Sequence, residues 1–267
     1  MSARLRPALA VLKRDFLNAK SYRVRFFAGL VSGFANLAIF YYISRLVRIE
    51  GSFTPDEYFA FVAIGVIIFT IVSATLTAPF SVLRQELVAG TFERMLLAPG
   101  GTIASIVSLL IFPALYALLT VLAMLCFAAL VFGVDLRWST VPLAIPLAVV
   151  TVLAFAPFGI LMQASVVIGK KAPPGANYII LGISLVAGLY FPVTLLPEWI
   201  QWASEVQPFT PAAELLRWAL AGQALPDAAW VDIAKLAAFA LVALPLSMIG
   251  LAMAIRMSRR RGTILEY

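Results

Sequence analysis

SVLRQELVAGTFERMLLAPGG, residues 81–101, is a mixed-charge interval set between two apolar runs long enough to cross a bilayer. Arg84, Glu86, Glu93 and Arg94 are costly in hydrocarbon, so the stretch has to sit in water at a membrane face. Gly90 interrupts a continuous helix, Thr91 can cap the start of a new one, and Pro99-Gly100-Gly101 ends it. The pattern predicts two short helices joined by a bend. Glu93 then falls in the first turn of the second helix, where the positive end of the helix dipole favours a carboxylate. A rigid charged elbow fixed to two spans is something a soluble motor can push on. An ordinary polar loop fits the same charges equally well.

Around this elbow the composition is that of a membrane protein. Of 267 residues, 63% are hydrophobic and 12% charged, which excludes an ordinary soluble domain and predicts an all-α polytopic membrane protein. There is no histidine, and the lone Cys126 lies in an apolar run, so disulfide frameworks, Cys/His metal sites and cysteine–histidine nucleophiles are excluded. A net charge of +7 alone would suit nucleic acid, but the basic residues lie beside apolar spans and read as membrane-orienting charges. No cleavable secretory signal is expected, because the first apolar run begins near Phe26 with no small-residue cleavage site after it.

Residues 1–25 form the first segment. Leu5, Leu9, Leu12 and Phe16 share one helical face, with Arg4, Arg6 and Arg14 away from it and Lys13 and Lys20 at its margins. This predicts an amphipathic helix lying on the membrane surface. Six spans are then expected within residues 26–257: about Phe26–Val47, Tyr58–Phe80, Thr102–Phe132, Val141–Ile168, Ala176–Leu196 and Trp230–Met257. The first contains Gly29-Leu-Val-Ser-Gly33, a small-xxx-small pattern for close helix approach, and Phe27, Phe34 and Tyr41 share a face at seven-residue spacing. Pro142, Pro146 and Pro157 predict a kinked fourth span, and Pro192 and Pro197 break the end of the fifth. Residues 198–222, with Trp199, Trp202, Trp218, Pro208 and Pro211, read as two short helices at the interface or dipping part-way into the membrane. A basic tail, residues 258–267, closes the chain.

Charge orients this layout. Six spans put the first segment, the elbow, Lys170-Lys171 and the tail with the adjoining Arg256 on one face, with 15 of the 20 basic residues, leaving Arg45, Arg48, Arg137, Arg217 and Lys235 on the other. The positive-inside rule then makes both termini cytoplasmic. All five tryptophans, Trp138, Trp199, Trp202, Trp218 and Trp230, fall at or beyond the outer boundary, as aromatic belts do.

An ion-coupled carrier normally keeps ionisable residues at mid-membrane, and no expected span has one there. Asn36 and Gln163 are the deepest polar side chains, with Asn177 nearer the inner end, and are expected to bond between helices. No Gly-x-x-x-x-Gly-Lys-Ser/Thr loop occurs, so ATP, if it drives this protein, must be bound by another chain.

Three stretches in order carry a family likeness. They are Arg84-Gln-Glu-x-x-x-Gly-Thr-Phe-Glu-Arg-Met-Leu-Leu-Ala-Pro99, Tyr190-Phe-Pro-Val-Thr-Leu-Leu-Pro-Glu-Trp199 with Pro208 and Pro211 following, and Arg259-Arg-Arg-Gly-Thr263. On a six-span scaffold with an amphipathic start, the chain resembles the type-2 permeases of ATP-binding cassette (ABC) exporters over essentially its full length.

The resemblance implies a homodimer or pseudo-dimer of permeases bound to two cytoplasmic nucleotide-binding ATPase subunits, which would carry ATP and Mg. This chain itself would hold no cofactor, no metal and no catalytic residue. Residues 81–101 would be the coupling helix, with Arg84, Glu86, Gly90, Thr91, Glu93 and Arg94 meeting the ATPase. Residues 198–222 would be the re-entrant external helices, and Pro192, Pro197, Trp199, Pro208 and Pro211 would shape that cap. The short external loops are unlike those of lipoprotein-release or macrolide-type systems. The expected location is the bacterial cytoplasmic (inner) membrane. Apolar, aromatic first and fifth spans suit an amphipathic cargo, such as a lipid-linked glycan, glycolipid or hydrophobic drug, with Phe34, Tyr41 and Tyr190 expected along its path. A gradient-driven secondary transporter and a membrane scaffold that transports nothing are the alternative classes.

Overall fold

The computed structural model describes residues 14, 16–17, 23–46, 54–92, 95, 97, 101–169, 175–221 and 229–261, and among these every regular element is helical. The helices are α1 (Arg23–Leu46), α2 (Pro55–Val88), α3 (Thr102–Ser108), α4 (Ile111–Phe132), α5 (Val141–Gly169), α6 (Ala176–Val186), α7 (Glu198–Val206), α8 (Phe209–Ala221) and α9 (Ala229–Arg260), with a 3-10 turn at Val193–Leu195. Of the expected surface helix over residues 5–19, only Arg14, Phe16 and Leu17 are described; they are helical, and the two apolar side chains are exposed. Glu93, Arg94, the Lys170-Lys171 turn and residues 262–267 lie outside the described residues.

Among the described residues, five stretches are long and apolar enough to cross a membrane: Phe27–Leu46, Pro55–Val88, Thr102–Phe132, Val141–Gly169 and Ala229–Arg260. The run expected as a continuous span from Ala176 to Leu196 is not one. Its helix α6 stops after 11 residues, a rise of about 16 Å against a hydrocarbon core of about 30 Å. Gly188, at φ +73°, takes the left-handed conformation that ends the helix four residues before the proline that marked the break in sequence.

Helix α2 is the axis of the bundle. Thr54 and Glu57 form a capping box, Glu57 N–H donating to Thr54 Oγ1 at 3.3 Å and Thr54 N–H to Glu57 Oε2 at 2.8 Å, with Pro55 pre-setting the first turn. At 34 residues the helix is about 51 Å long. It therefore outruns the bilayer and carries the first half of the elbow as its own last turns, which corrects the expectation of a separate short helix there. Its membrane stretch is 72% buried, whereas that of α1 is 11% buried. Helix α5 packs along both α2 and α9.

Helix α1 lies against α4 through its small residues. A Cβ on Gly29 would stand 2.8 Å from Tyr116 Oη, and one on Gly33 would stand 3.0 Å from Met124 Sδ, so the small-xxx-small pattern does allow close approach. The stretch from Thr102 to Phe132 is divided at Leu109-Leu110 into α3 and α4. Pro113 has no N–H for Leu109 O, and the turn tightens to Leu109 N–H→Ile106 O and Leu110 N–H→Val107 O.

Candidate functional site

At the elbow, α2 ends on the Ala89-Gly90 turn. Ala89 N–H bonds Gln85 O at 2.9 Å and Gly90 N–H bonds Leu87 O at 3.1 Å. Gly90 sits at φ +67°, which side chains other than glycine adopt only with strain. The chain then folds back on Glu86. Thr91 N–H donates to Glu86 O at 3.0 Å, and Thr91 Oγ1 donates both to that carbonyl, at 3.2 Å, and to the Glu86 carboxylate. On its other side the carboxylate pairs with Arg14 Nη1 at 2.8 Å. Glu86 thus ties the N-terminal segment, the last turn of α2 and the elbow into one unit.

Phe92 and Met95 bury their side chains with Leu83 and Leu87, which fastens the elbow to the bundle, while Arg84 points out to water. Arg259 Nη2, near the end of α9, donates to Thr102 Oγ1 at the start of α3 at 3.2 Å. Glu93 and Arg94, expected at this site, are outside the described residues, and so is any cap that Thr91 makes to them.

The second feature lies at the other end of α2. After Gly188 the backbone is non-helical, and its carbonyls need donors wherever water is excluded. Arg217 on α8 supplies them, with Nη2 donating to Gly188 O at 2.8 Å and Leu189 O at 3.0 Å. Its guanidinium stacks 3.7 Å from the ring centroid of Phe61 on α2, and the residue is 5% exposed. Arg217, expected as an orienting charge on the outer face, is instead a buried cap.

Helix α8 is buried on nearly all sides against α2, α5 and α9. Phe209 meets Phe155 edge-on at 4.4 Å. Its final carbonyls are capped by the loop after α4, Arg137 N–H donating to Leu220 O at 2.9 Å and Thr140 Oγ1 to Ala219 O at 2.8 Å. Pro192 precedes the 3-10 turn, Pro197 starts α7, Pro208 precedes α8 and Pro211 is buried in its first turn. Trp199 and Trp202 are exposed on α7.

The aromatic residues expected along a path fall into two groups. Phe34 stacks on Phe127 at 4.1 Å, and Tyr41 stacks on Phe132 at 4.6 Å and meets Phe59 edge-on at 5.2 Å. Tyr190 instead stands beside Phe40 at 5.6 Å and Phe69 at 6.3 Å. Of the deep polar residues, Gln163 does bond between helices, whereas Asn36 is exposed on α1 and the Asn177 side chain lies outside the described residues.

A scan against protein families matches the ABC-2 type transporter family over residues 8–221, most of the chain and inclusive of elbow, broken segment and α8. The chain belongs to the ABC-2 type transporter family. A search of curated proteins returns no match. As an ABC-2 permease it is a multi-pass transmembrane component, not itself catalytic, and its family implies an ABC ATPase partner.

Proposed function

We propose that this ABC-2 chain is the membrane-spanning subunit of an ATP-driven exporter that moves an amphipathic cargo outward across the bacterial cytoplasmic membrane. Two permease copies, as a homodimer, work with two copies of a separate nucleotide-binding chain that holds ATP and Mg. The elbow faces the cytoplasm with both termini, and the segment from Gly188 to Ala221 caps the outer side.

The observation that carries this reading is α2. One continuous helix runs through the bundle and ends in an elbow tied by Glu86, Thr91 and Arg14, so a push on the elbow is delivered to the helices packed around it. Arg84, Glu86, Gly90, Thr91, Glu93 and Arg94 are the proposed contact with the ATPase. The weakly buried α1, held by aromatic stacking and by close approach to α4 at Gly29 and Gly33, is the element best able to part from the rest, with Phe34, Tyr41 and Tyr190 beside the opened path. The accumulation of basic residues at the elbow end and of exposed tryptophans at the other supports the orientation.

The test is to purify the tagged chain in mild detergent, identify what accompanies it, and assay ATP hydrolysis in reconstituted bilayers. A stoichiometric nucleotide-binding protein whose hydrolysis is stimulated by lipids, glycans or drugs is the expected result. Gradient-driven flux with no accompanying ATPase would overturn the reading.

A further inference from the structure

The buried apolar residues separate into two cores that meet at one level of the bundle. The first core takes Phe59–Leu76 of α2, Val121–Ala128 of α4, Ala144–Phe155 of α5 and Leu236 of α9. The second takes Phe80–Leu87 of α2, Phe92 and Met95 of the elbow, Ile106 and Leu109, Ile160–Val167 of α5, and Leu251–Ile255 of α9. Helices α2, α5 and α9 therefore pass from one core to the other, and each is weakened near the crossing.

In α2 the crossing falls at Pro79, which cannot donate to Thr75 O, and Thr70, Thr75, Thr77 and Ser81 all bond back to carbonyls four residues earlier, a habit that bends helices. Next to it the chain breaks at Leu109-Leu110. In α5 it falls between Phe158 and Ile160, just after Pro157, and in α9 between Phe239 and Leu244, just before Pro245. The first three of these places touch, and α9 lies against α5 close by. A Cβ on Gly159 would be 2.5 Å from Thr75 O and 3.6 Å from both Leu110 Cδ2 and Pro79 Cγ, and one on Gly250 would be 3.2 Å from Leu161 Cδ2.

Gln163 lies on this seam, fully buried. Its Nε2 donates to Pro79 O at 3.4 Å and to Ile106 O at 3.2 Å, so one amide joins α5 to the weak points of two other elements. Both bonds are longer than the usual ~2.9 Å, and its Oε1 has no partner. An idle buried acceptor is a free-energy cost that an apolar side chain would avoid. Such an amide has spare capacity to exchange partners when the helices around it shift.

We propose that this seam is a transverse hinge, with Gln163 as its positioning residue: the elbow-side core moves as one body with the elbow, and the far core with α8 stays behind. A push on the elbow then tilts the near halves of α2, α5 and α9 instead of sliding whole helices. The idea rests on the coupling role proposed above for the elbow, but the hinge is measurable without it.

With Cys126→Ala as background, spin labels are placed through the pairs Val88→Cys with Met257→Cys in the elbow-side body, Leu130→Cys with Leu143→Cys in the far body, and Val88→Cys with Leu130→Cys across the seam. All four positions' side chains are exposed. Labelled chain is diluted into excess unlabelled chain in lipid nanodiscs and distances are measured. The across-seam distribution should be broader than both others, and Gln163→Met, similar in volume and free of the idle acceptor, should change it alone. With the ATPase bound and nucleotide trapped, the across-seam mean should shift by about 2 Å or more, and Gln163→Met should lower cargo moved per ATP about tenfold while hydrolysis persists. An across-seam distribution as narrow as the others and blind to Gln163→Met overturns the hinge. Hydrolysis and transport with an unmoved across-seam distance also overturn it, leaving the exporter reading intact. A hinge that is present in a chain with no ATPase partner retains the hinge and removes the exporter reading.

Discussion

The carbonyl oxygen of Leu189 occupies the space above Gly65, 1.8 Å from where a Cβ on that glycine would be. The broken segment after Gly188 thus lies directly on the backbone of α2, at a distance that only glycine allows.

Gly65→Ala should therefore displace the segment and lower stability by about 1–3 kcal/mol, the usual range for overpacking. Gly182→Ala is the control. That helical glycine has open space around it, and alanine there should be neutral or stabilising by up to about 1 kcal/mol. Thermal unfolding of the two variants in the same detergent compares them directly, and equal melting temperatures would remove the close approach from the account.

Arg217→Leu should cost about 2 kcal/mol or more, because it removes the guanidinium over Phe61 and leaves two carbonyls without their donor. Replacing a buried ion pair by apolar residues can be neutral when both partners go, but Gly188 O and Leu189 O are backbone and stay. Arg217→Lys should lie between, since an ammonium keeps the charge and loses the planar stack. Hydrogen exchange of residues 187–192 would show the loss locally.

Arg14 and Glu86 are only partly screened from water, their side chains being 39% and 14% exposed. A double-mutant cycle with Arg14→Ala and Glu86→Ala should give a coupling of roughly 0.5–1 kcal/mol that shrinks in high salt. A coupling of zero at low salt would separate the N-terminal segment from the elbow.

Gly90→Pro demands a φ near −65° where the chain holds +67°, and removes the Gly90 N–H bond to Leu87 O. We expect the protein to insert and fold but to lose the tie between ATP hydrolysis and export, and Glu93→Lys to do the same by reversing charge at the elbow. Transport at the wild-type rate in either variant would end the coupling assignment.

The bend at the elbow was legible because Gly90 interrupts a helix and a cluster of four charges in a hydrophobic sequence belongs at a membrane face. The aromatic spacing of α1 was also legible, but not whether it met lipid, cargo or α4. Arg217 was misread for a physical reason: an arginine in a half-polar stretch looks the same whether it meets water or two orphaned carbonyls.

From its residues alone the chain reads as an all-helical membrane protein with a charged elbow, since periodicity and hydropathy are local properties. That α6 stops short, that Gly65 receives Leu189, that Arg217 caps a broken helix and that Gln163 lies where two cores meet were decided only by the tertiary structure. Each depends on which backbone groups lose their partners when distant segments pack, and that is a property of pairs of segments which no single stretch of sequence carries.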